Sequence, residues 1–205
     1  MIGIIDYGLG NVKAFSNVYD KLRIKNLLLR NIQDFENVDK LILPGVGSFD
    51  SAIKLINNSK IKEKLQQEVI EKKKPILGIC IGMQVFAKKS SEGTSDGFSW
   101  FDAEVIKLQI KSNYENKLKL PHMGWNSIDI KKKNQLFENI NNNEYFYFLH
   151  SYFFECFNKS DVIAETTFDN IFPSAVNNGN IYGIQFHPEK SHDAGIKILE
   201  NFALL

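Results

Sequence analysis

Pro75-Ile-Leu-Gly-Ile-Cys-Ile-Gly-Met-Gln84 carries an apolar run, residues 76–79, straight into Cys80, with Gly78 and Gly82 on either side of the thiol. A short continuous apolar segment of this kind fits a strand buried on both faces, and small residues at its end let the chain bend sharply into a helix. Strand, tight turn and helix are what G-x-S-x-G sequences use to lift a nucleophile above a sheet. The stretch therefore bears on the fold, an α/β fold with a mostly parallel sheet, and on the chemistry, with Cys80 as candidate nucleophile. The competing reading of a lone cysteine between glycines is a small buried side chain, and Cys80 by itself does not separate the two.

The flanking sequence repeats the alternation. Ile2–Ile5, residues 26–30 and residues 40–43 are short apolar strands. Between them Asn11 is a plausible N-cap for a helix with Val12, Phe15, Val18, Tyr19 and Leu22 on one face. Past Pro44-Gly-Val-Gly47 comes a helical pattern through Ala52, Ile53 and Ile56, and residues 61–74 read as an amphipathic surface helix ending in lysines. Strands alternating with helices predict a parallel sheet covered on both faces. The second half changes character. Residues 103–110, 145–149, 152–157, 162–167 and 181–186 have strand composition, Asn177-Asn-Gly-Asn180 is a hairpin turn, and residues 194–205 close the chain as a helix. Residues 131–135 and 139–143 read as exposed loops. One α/β domain spanning residues 1–205, with helices flanking the sheet and an antiparallel extension, is the expectation.

Composition narrows the function classes. A formal net charge of +1 across 205 residues gives no nucleic-acid footprint, and 43% hydrophobic with 24% charged residues is ordinary for a globular chain. Two cysteines in unlike settings make no disulfide framework, and Cys156, within Tyr152-Phe-Phe-Glu-Cys-Phe157, reads as buried. The first residues lack a signal peptide's basic start, and no apolar run approaches the ~20 residues that cross a bilayer. A cytoplasmic protein with no membrane contact is expected.

A thiol needs help to act as a nucleophile. Free cysteine near pKa ~8.5 is mostly protonated at neutral pH, and attack requires the thiolate. Cys80 would sit at the N-terminus of a helix over residues 81–89, whose dipole favours an anion. Gly183-Ile-Gln-Phe-His-Pro-Glu-Lys-Ser191 supplies a base. In an extended chain residues two apart point the same way, so His187 and Glu189 both face one pocket, with Gln185 on that side if the strand continues. Cys80, His187 and Glu189 form a candidate catalytic triad. The Ile81 N–H and a turned peptide of Gly45-Val46-Gly47 are candidate oxyanion donors, although the glycines also suit a plain strand-to-helix turn. His122 and His150 compete for the base role. Neither has a carboxylate two residues away, so both read as structural or binding histidines.

These residues resemble the class I (triad) glutamine amidotransferases. The similarity runs through Ile4-Ile-Asp-Tyr-Gly-Leu-Gly-Asn11, Leu43-Pro-Gly-Val-Gly-Ser-Phe49, residues 78–84, Pro121-His-Met-Gly-Trp-Asn126, Phe148-Leu-His-Ser-Tyr152, Phe172-Pro-Ser-Ala175 and residues 183–191. Within the family the chain looks most like the glutaminase subunits of imidazole glycerol phosphate synthase. The resemblance implies a flavodoxin-like domain in which Cys80 attacks the side-chain amide of glutamine and releases ammonia, with no cofactor and no metal. It implies Gln84 and Glu92 as substrate-binding residues, with backbone contacts from Ser151 and Tyr152. It also implies that ammonia passes to a partner (β/α)8-barrel subunit, which makes imidazole glycerol phosphate and an aminoimidazole ribonucleotide (AICAR) in histidine biosynthesis. Asn11, Met123, Trp125, Tyr147 and Lys190 fall at positions facing that partner. Gly97-Phe-Ser-Trp-Phe101 departs from the Gly-Leu-Gly-type turn of histidine-pathway members, and Ile81 replaces a commoner leucine. A paralogous subunit feeding ammonia to the amidination of a bacterial surface sugar shares the same motifs and is the alternative acceptor.

Overall fold

Strand β1 (Ile2–Ile5) opens a computed structural model that describes residues 1–59, 61–110 and 118–205. It leads to helix α1 (Val12–Lys21), strand β2 (Asn26–Leu29), strand β3 (Lys40–Gly45) and helix α2 (Phe49–Asn58). The Asn11 side chain accepts from the Ala14 N–H at 3.3 Å, and Phe15 and Tyr19, one turn apart, are the residues α1 buries. Ser48 caps α2 in the same way through the Ser51 N–H, and Ala52, Ile53 and Ile56 lie against the sheet. Helix α3 (Ile61–Leu65), strand β4 (Ile76–Cys80) and helix α4 (Ile81–Gln84) complete the first half.

The second half supplies strands β5 (Ala103–Lys107), β6 (His122–Ser127), β7 (Asp129–Ile130), β8 (Tyr145–His150), β9 (Tyr152–Cys156), β10 (Val162–Phe168), β11 (Asn170–Asn178) and β12 (Ile181–Ile184), then helix α5 (His192–Leu204). An eight-stranded sheet runs β2-β1-β3-β4-β12-β11-β10-β7. Its first five strands are parallel and the rest antiparallel, as expected for a flavodoxin-like sheet with an extension. Two further pairs, β5-β9 and β6-β8, are separate ribbons. All five residues of β4 are buried, which accounts for its unbroken apolar run.

Three expectations change. Residues 61–74 are not one amphipathic α-helix: α3 gives way to a π-helical segment over Gln66–Glu71, where the Lys72 N–H reaches the Gln67 carbonyl five residues back. There Glu68 is buried and ion-paired with Lys64, Lys72 and Lys74 at 2.7–2.9 Å, so the lysines answer an internal carboxylate as well as solvent. The helix after Cys80 ends at Gln84 instead of Lys89. The Val85, Phe86 and Ala87 carbonyls accept from Phe98, Trp100 and Ser99, so the ladder that would extend the helix is taken by another segment. The third change is the strand expected over 103–110, which ends at Lys107, while β6, β7 and β11 are strands where none was expected, and β11 carries Pro173, which argues against an interior strand. The β10–β11 register shifts between Val162 and Glu165, where Glu165 stands opposite Pro173.

Candidate active site

Adjacency of β4 and β12 decides where the chemistry sits. They pair in parallel with Ile79 opposite Ile184, so Cys80 and the residues following β12 leave the same edge of the sheet side by side. Cys80 adopts φ +54°, ψ −111°, a strained conformation for a side-chain-bearing residue that turns the thiol out of the strand. Close packing holds the bend: a Cβ on Gly82 would meet the Leu43 carbonyl oxygen at 1.8 Å, and one on Gly45 would meet the Gly82 nitrogen at 2.5 Å.

His187 follows β12, its N–H donating to the Tyr147 carbonyl at 2.8 Å. Ser191 locks the turn from the other side. Its Oγ donates to the His187 carbonyl at 2.6 Å and accepts the Tyr147 N–H at 3.0 Å. His187 Nδ1 lies 2.9 Å from Glu189 Oε1, and both side chains are 3% exposed. Burial works against protonating this imidazole. Interaction with the Cys80 sulfur and with the Glu189 carboxylate outweighs it and raises the His187 pKa to about 10. The raised pKa favours the imidazolium form of this ring, which lines the same pocket as Cys80. Its Nε2 is buried without a partner among the described residues, in the pocket that Cys80 also lines.

That pocket, about 250 Å³, is bounded by Val46, Gly47, Cys80, Ile81, Gln84, Glu92, Pro121, Leu149, His150, Ser151, Tyr152 and His187. Val46 and Gly47 (φ +99°) form one rim, with the Pro44 carbonyl behind them accepting the Tyr7 hydroxyl at 2.8 Å. Burial, and secondarily the neighbouring Cys80, push the Tyr7 pKa up, so it stays a donor. Of the four candidate oxyanion residues, Val46, Gly47 and Ile81 line the cavity. Gly45 does not: it is the last residue of β3 and packs behind the elbow.

Gln84 is buried, its Nε2 donating to the Tyr152 carbonyl at 2.9 Å and to Gln185 Oε1 at 3.0 Å. Its own Oε1 is buried without a partner among the described residues. Gln185 in turn donates to Cys80 Sγ at 3.6 Å. Glu92 Oε2 accepts the Phe49 N–H at 2.8 Å, and Asp50 accepts the Thr94 and Ser95 N–H groups at 3.0 Å each. Those bonds lower the Asp50 pKa. The two carboxylates clasp the 92–95 loop to the start of α2, and Asp50 was not legible as part of the site. Leu149, whose carbonyl lies 3.9 Å from Cys80 Sγ, and Pro121 also escape the sequence reading. Their one signal is position beside His150-Ser151 and His122. Because α4 is a single turn, its dipole is small.

Away from the pocket, Met123 (62% exposed) and Trp125 (46%) project from β6. Trp125 stacks on His192 at 5.0 Å and meets Tyr147 edge-on, while Lys190 Nζ sits 5.5 Å over the Tyr147 ring. Asn11 is exposed at the start of α1, which touches the Pro188–Lys190 turn. Among the described residues no His/Cys/Asp/Glu cluster suits a metal, and no helix is long and apolar enough to cross a membrane.

The family model for glutamine amidotransferase class-I matches residues 3–205. Imidazole glycerol phosphate synthase subunit HisH of Leptospira borgpetersenii is 45% identical over 205 residues, covering all of both chains, and its Leptospira interrogans counterpart is equally similar. A crystal structure of a glutamine amidotransferase superposes with a TM-score of 0.75 at 18% identity, covering 100% of this chain and 99% of that one, which supports the fold.

Proposed function

The chain belongs to the class I glutamine amidotransferases, and from that premise we propose that it is the glutaminase subunit of an imidazole glycerol phosphate synthase. The observation that carries the chemistry is the meeting, at the ends of two paired strands, of Cys80 on its strained turn with the buried His187–Glu189 ion pair. Full-length similarity to subunits bearing that name supports the pathway.

In this reading the Cys80 thiolate adds to the Cδ of glutamine, and the oxyanion is met by the Ile81 N–H and by a peptide of the Val46–Gly47 rim. His187 gives its proton to the departing nitrogen, so the C–N bond breaks to ammonia and a glutamyl thioester remains. The neutral His187 then takes a proton from water as it attacks the thioester, releasing glutamate and the thiolate with the imidazolium restored. Glu189 keeps Nδ1–H oriented throughout. Gln84 Oε1, buried and unpaired, and the second oxygen of Glu92 are acceptors for the substrate's α-ammonium, and Ser151 and Tyr152 present backbone to its carboxylate end. The face carrying Met123, Trp125, Tyr147 and Lys190, with Asn11 beside it, docks a (β/α)8-barrel synthase subunit that receives the ammonia.

Two experiments test this. With the barrel subunit present, Cys80→Ala is expected to abolish glutamate release; equal rates in variant and parent would remove Cys80 as nucleophile. Co-expression with the histidine-pathway barrel should rescue a histidine auxotroph. Failure there, with rescue of surface-sugar amidination by its own barrel, would reassign the acceptor.

A further inference from the structure

His122 and His150 are both buried, 3% and 6% exposed, and the proposed reaction uses neither. They pair across β6 and β8, with His122 Nδ1 3.1 Å from His150 Nε2. His150 Nδ1 lies 2.9 Å from the Tyr152 carbonyl, and Asn126 Nδ2 lies 3.3 Å from His122 Nε2. The Asn126 amide also donates to the Thr167 carbonyl, and its Oδ1 accepts the Ser127 N–H, so its nitrogen must be the atom facing His122.

Those contacts leave one arrangement of protons. A carbonyl only accepts, so His150 must carry its proton on Nδ1, and its Nε2 is left as an acceptor. His122 must then donate from Nδ1, which leaves Nε2 to accept from Asn126. Every bond is satisfied with both rings neutral, and protonating either ring would set two donors against each other. The surroundings agree. Burial, reinforced for His150 by His122 and the nearby charge of His187 and opposed by the Tyr152 bond, lowers the His122 and His150 pKa values to about 4 and about 3. His122 is sandwiched by Phe148 and Phe168, with Phe172 at its edge.

We propose that His122 and His150 are positioning residues for glutamine binding: two neutral rings, each protonated at Nδ1, form a one-way hydrogen-bond string from Asn126 to the Tyr152 carbonyl. That carbonyl is also where Gln84 Nε2 is anchored. The string and Gln84 therefore hold the same oxygen, which fixes the Gln84 amide with its unpaired Oε1 as the acceptor offered to substrate. The string begins on β6, where His122 and Asn126 flank the exposed Met123 and Trp125, so it also ties that face to the pocket wall. The inference rests on the glutaminase reading above, and its test separates the two.

Nitrogen-15 spectra of the histidines in the purified chain should show both rings neutral with the proton on Nδ1 throughout pH 6–8. Detection of an Nε2–H tautomer at either ring overturns the string whether or not the chain has glutaminase activity. An asparagine side chain places its amide nitrogen near imidazole Nδ1 and a glutamine near Nε2. In the complex with the barrel subunit, His150→Asn is therefore expected to keep the glutamine KM within about threefold, whereas His150→Gln raises it about tenfold, the worth of one hydrogen bond. In both, kcat should change less than KM. Equal KM values in two variants that melt alike would overturn the positioning role. No glutamate release by the parent complex, with the Nδ1–H spectrum intact, would count against the glutaminase reading instead.

Discussion

Replacing Glu189 by glutamine is the most demanding test of the site's electrostatics. Glu189 Oε1 receives His187 Nδ1 at 2.9 Å, and its Oε2 is buried with no partner among the described residues. A glutamine can keep the first bond by turning its carbonyl to Nδ1, so the ring stays oriented but loses its counter-charge. A bond to a charged group is worth about 1.5–3 kcal/mol against about 1 kcal/mol for a neutral one, an excess of about 1–2 kcal/mol, which sets the expected fall in kcat/KM at about 5- to 30-fold. The amide nitrogen must then occupy the place of Oε2, where no acceptor waits, at a cost of about 1–3 kcal/mol in folding stability, or several degrees of Tm. The pH dependence has a definite sign. The carboxylate is one of the two groups that raise the His187 pKa to about 10, so removing it lowers that pKa toward 6.5. The alkaline limb of the kcat/KM profile, where the imidazolium loses its proton, should move down by about 1–2 pH units. The assay is glutamate release across pH 6–10.5 with the partner saturating, beside a thermal melt. A variant within threefold of the parent and with an unmoved alkaline limb would refute the ion-pair account.

Other perturbations test the framework. Gly82→Ala forces a methyl to within 1.8 Å of the Leu43 carbonyl oxygen, a backbone atom that cannot turn aside; a loss of about 3 kcal/mol, near 10 °C of Tm, is expected, and an unchanged melt would contradict the packing of the elbow. Glu68→Ala strands the lysines around it and should cost about 3 kcal/mol. Against burial, the hydrogen bonds from Lys72, Lys74 and Lys64 lower the Glu68 pKa to about 2, below its ordinary 4.5, so its stabilisation is whole above pH 4.5 and drains away as pH falls through 2. Denaturant melts of parent and variant at pH 7 and pH 2.5 should therefore converge; a difference that holds at pH 2.5 would show the carboxylate charge to be irrelevant. Trp125→Ala should weaken barrel-subunit binding about 30-fold with little change in Tm, and an unaltered Kd would remove this face from the interface.

The legibility of this chain followed the range of each interaction. Buried parallel strands announce themselves through continuous apolar runs, and a cap such as Asn11 acts within three residues, so much of the first half could be read element by element. His187 and Glu189 were legible for the same reason, because a two-residue spacing in an extended chain makes a local geometric statement. The failures have the opposite character. The helix after Cys80 stops at Gln84 because carbonyls of residues 85–87 accept bonds from residues 98–100, across a loop that no local pattern anticipates. Residues 61–74 look like a surface helix until the fold presents three lysines to Glu68. β11 carries a proline that reads against an interior strand, and its register with β10 shifts beside that residue.

Taken alone, the amino-acid sequence determined that an apolar strand ends at Cys80 in a tight glycine-flanked turn, that a histidine and a carboxylate lie on one side of a later segment, and to which family the motifs belong. Only the tertiary structure decided that β4 and β12 are neighbours, and hence that a thiol at position 80 meets an imidazole at position 187. It alone also placed Gly45 behind the pocket, Asp50 beside it, and the two histidines in a string with one possible set of protons. Strand order is set by pairing between segments more than a hundred residues apart, and proton placement by hydrogen bonds between strands that the sequence does not show to be neighbours, so neither leaves a local trace.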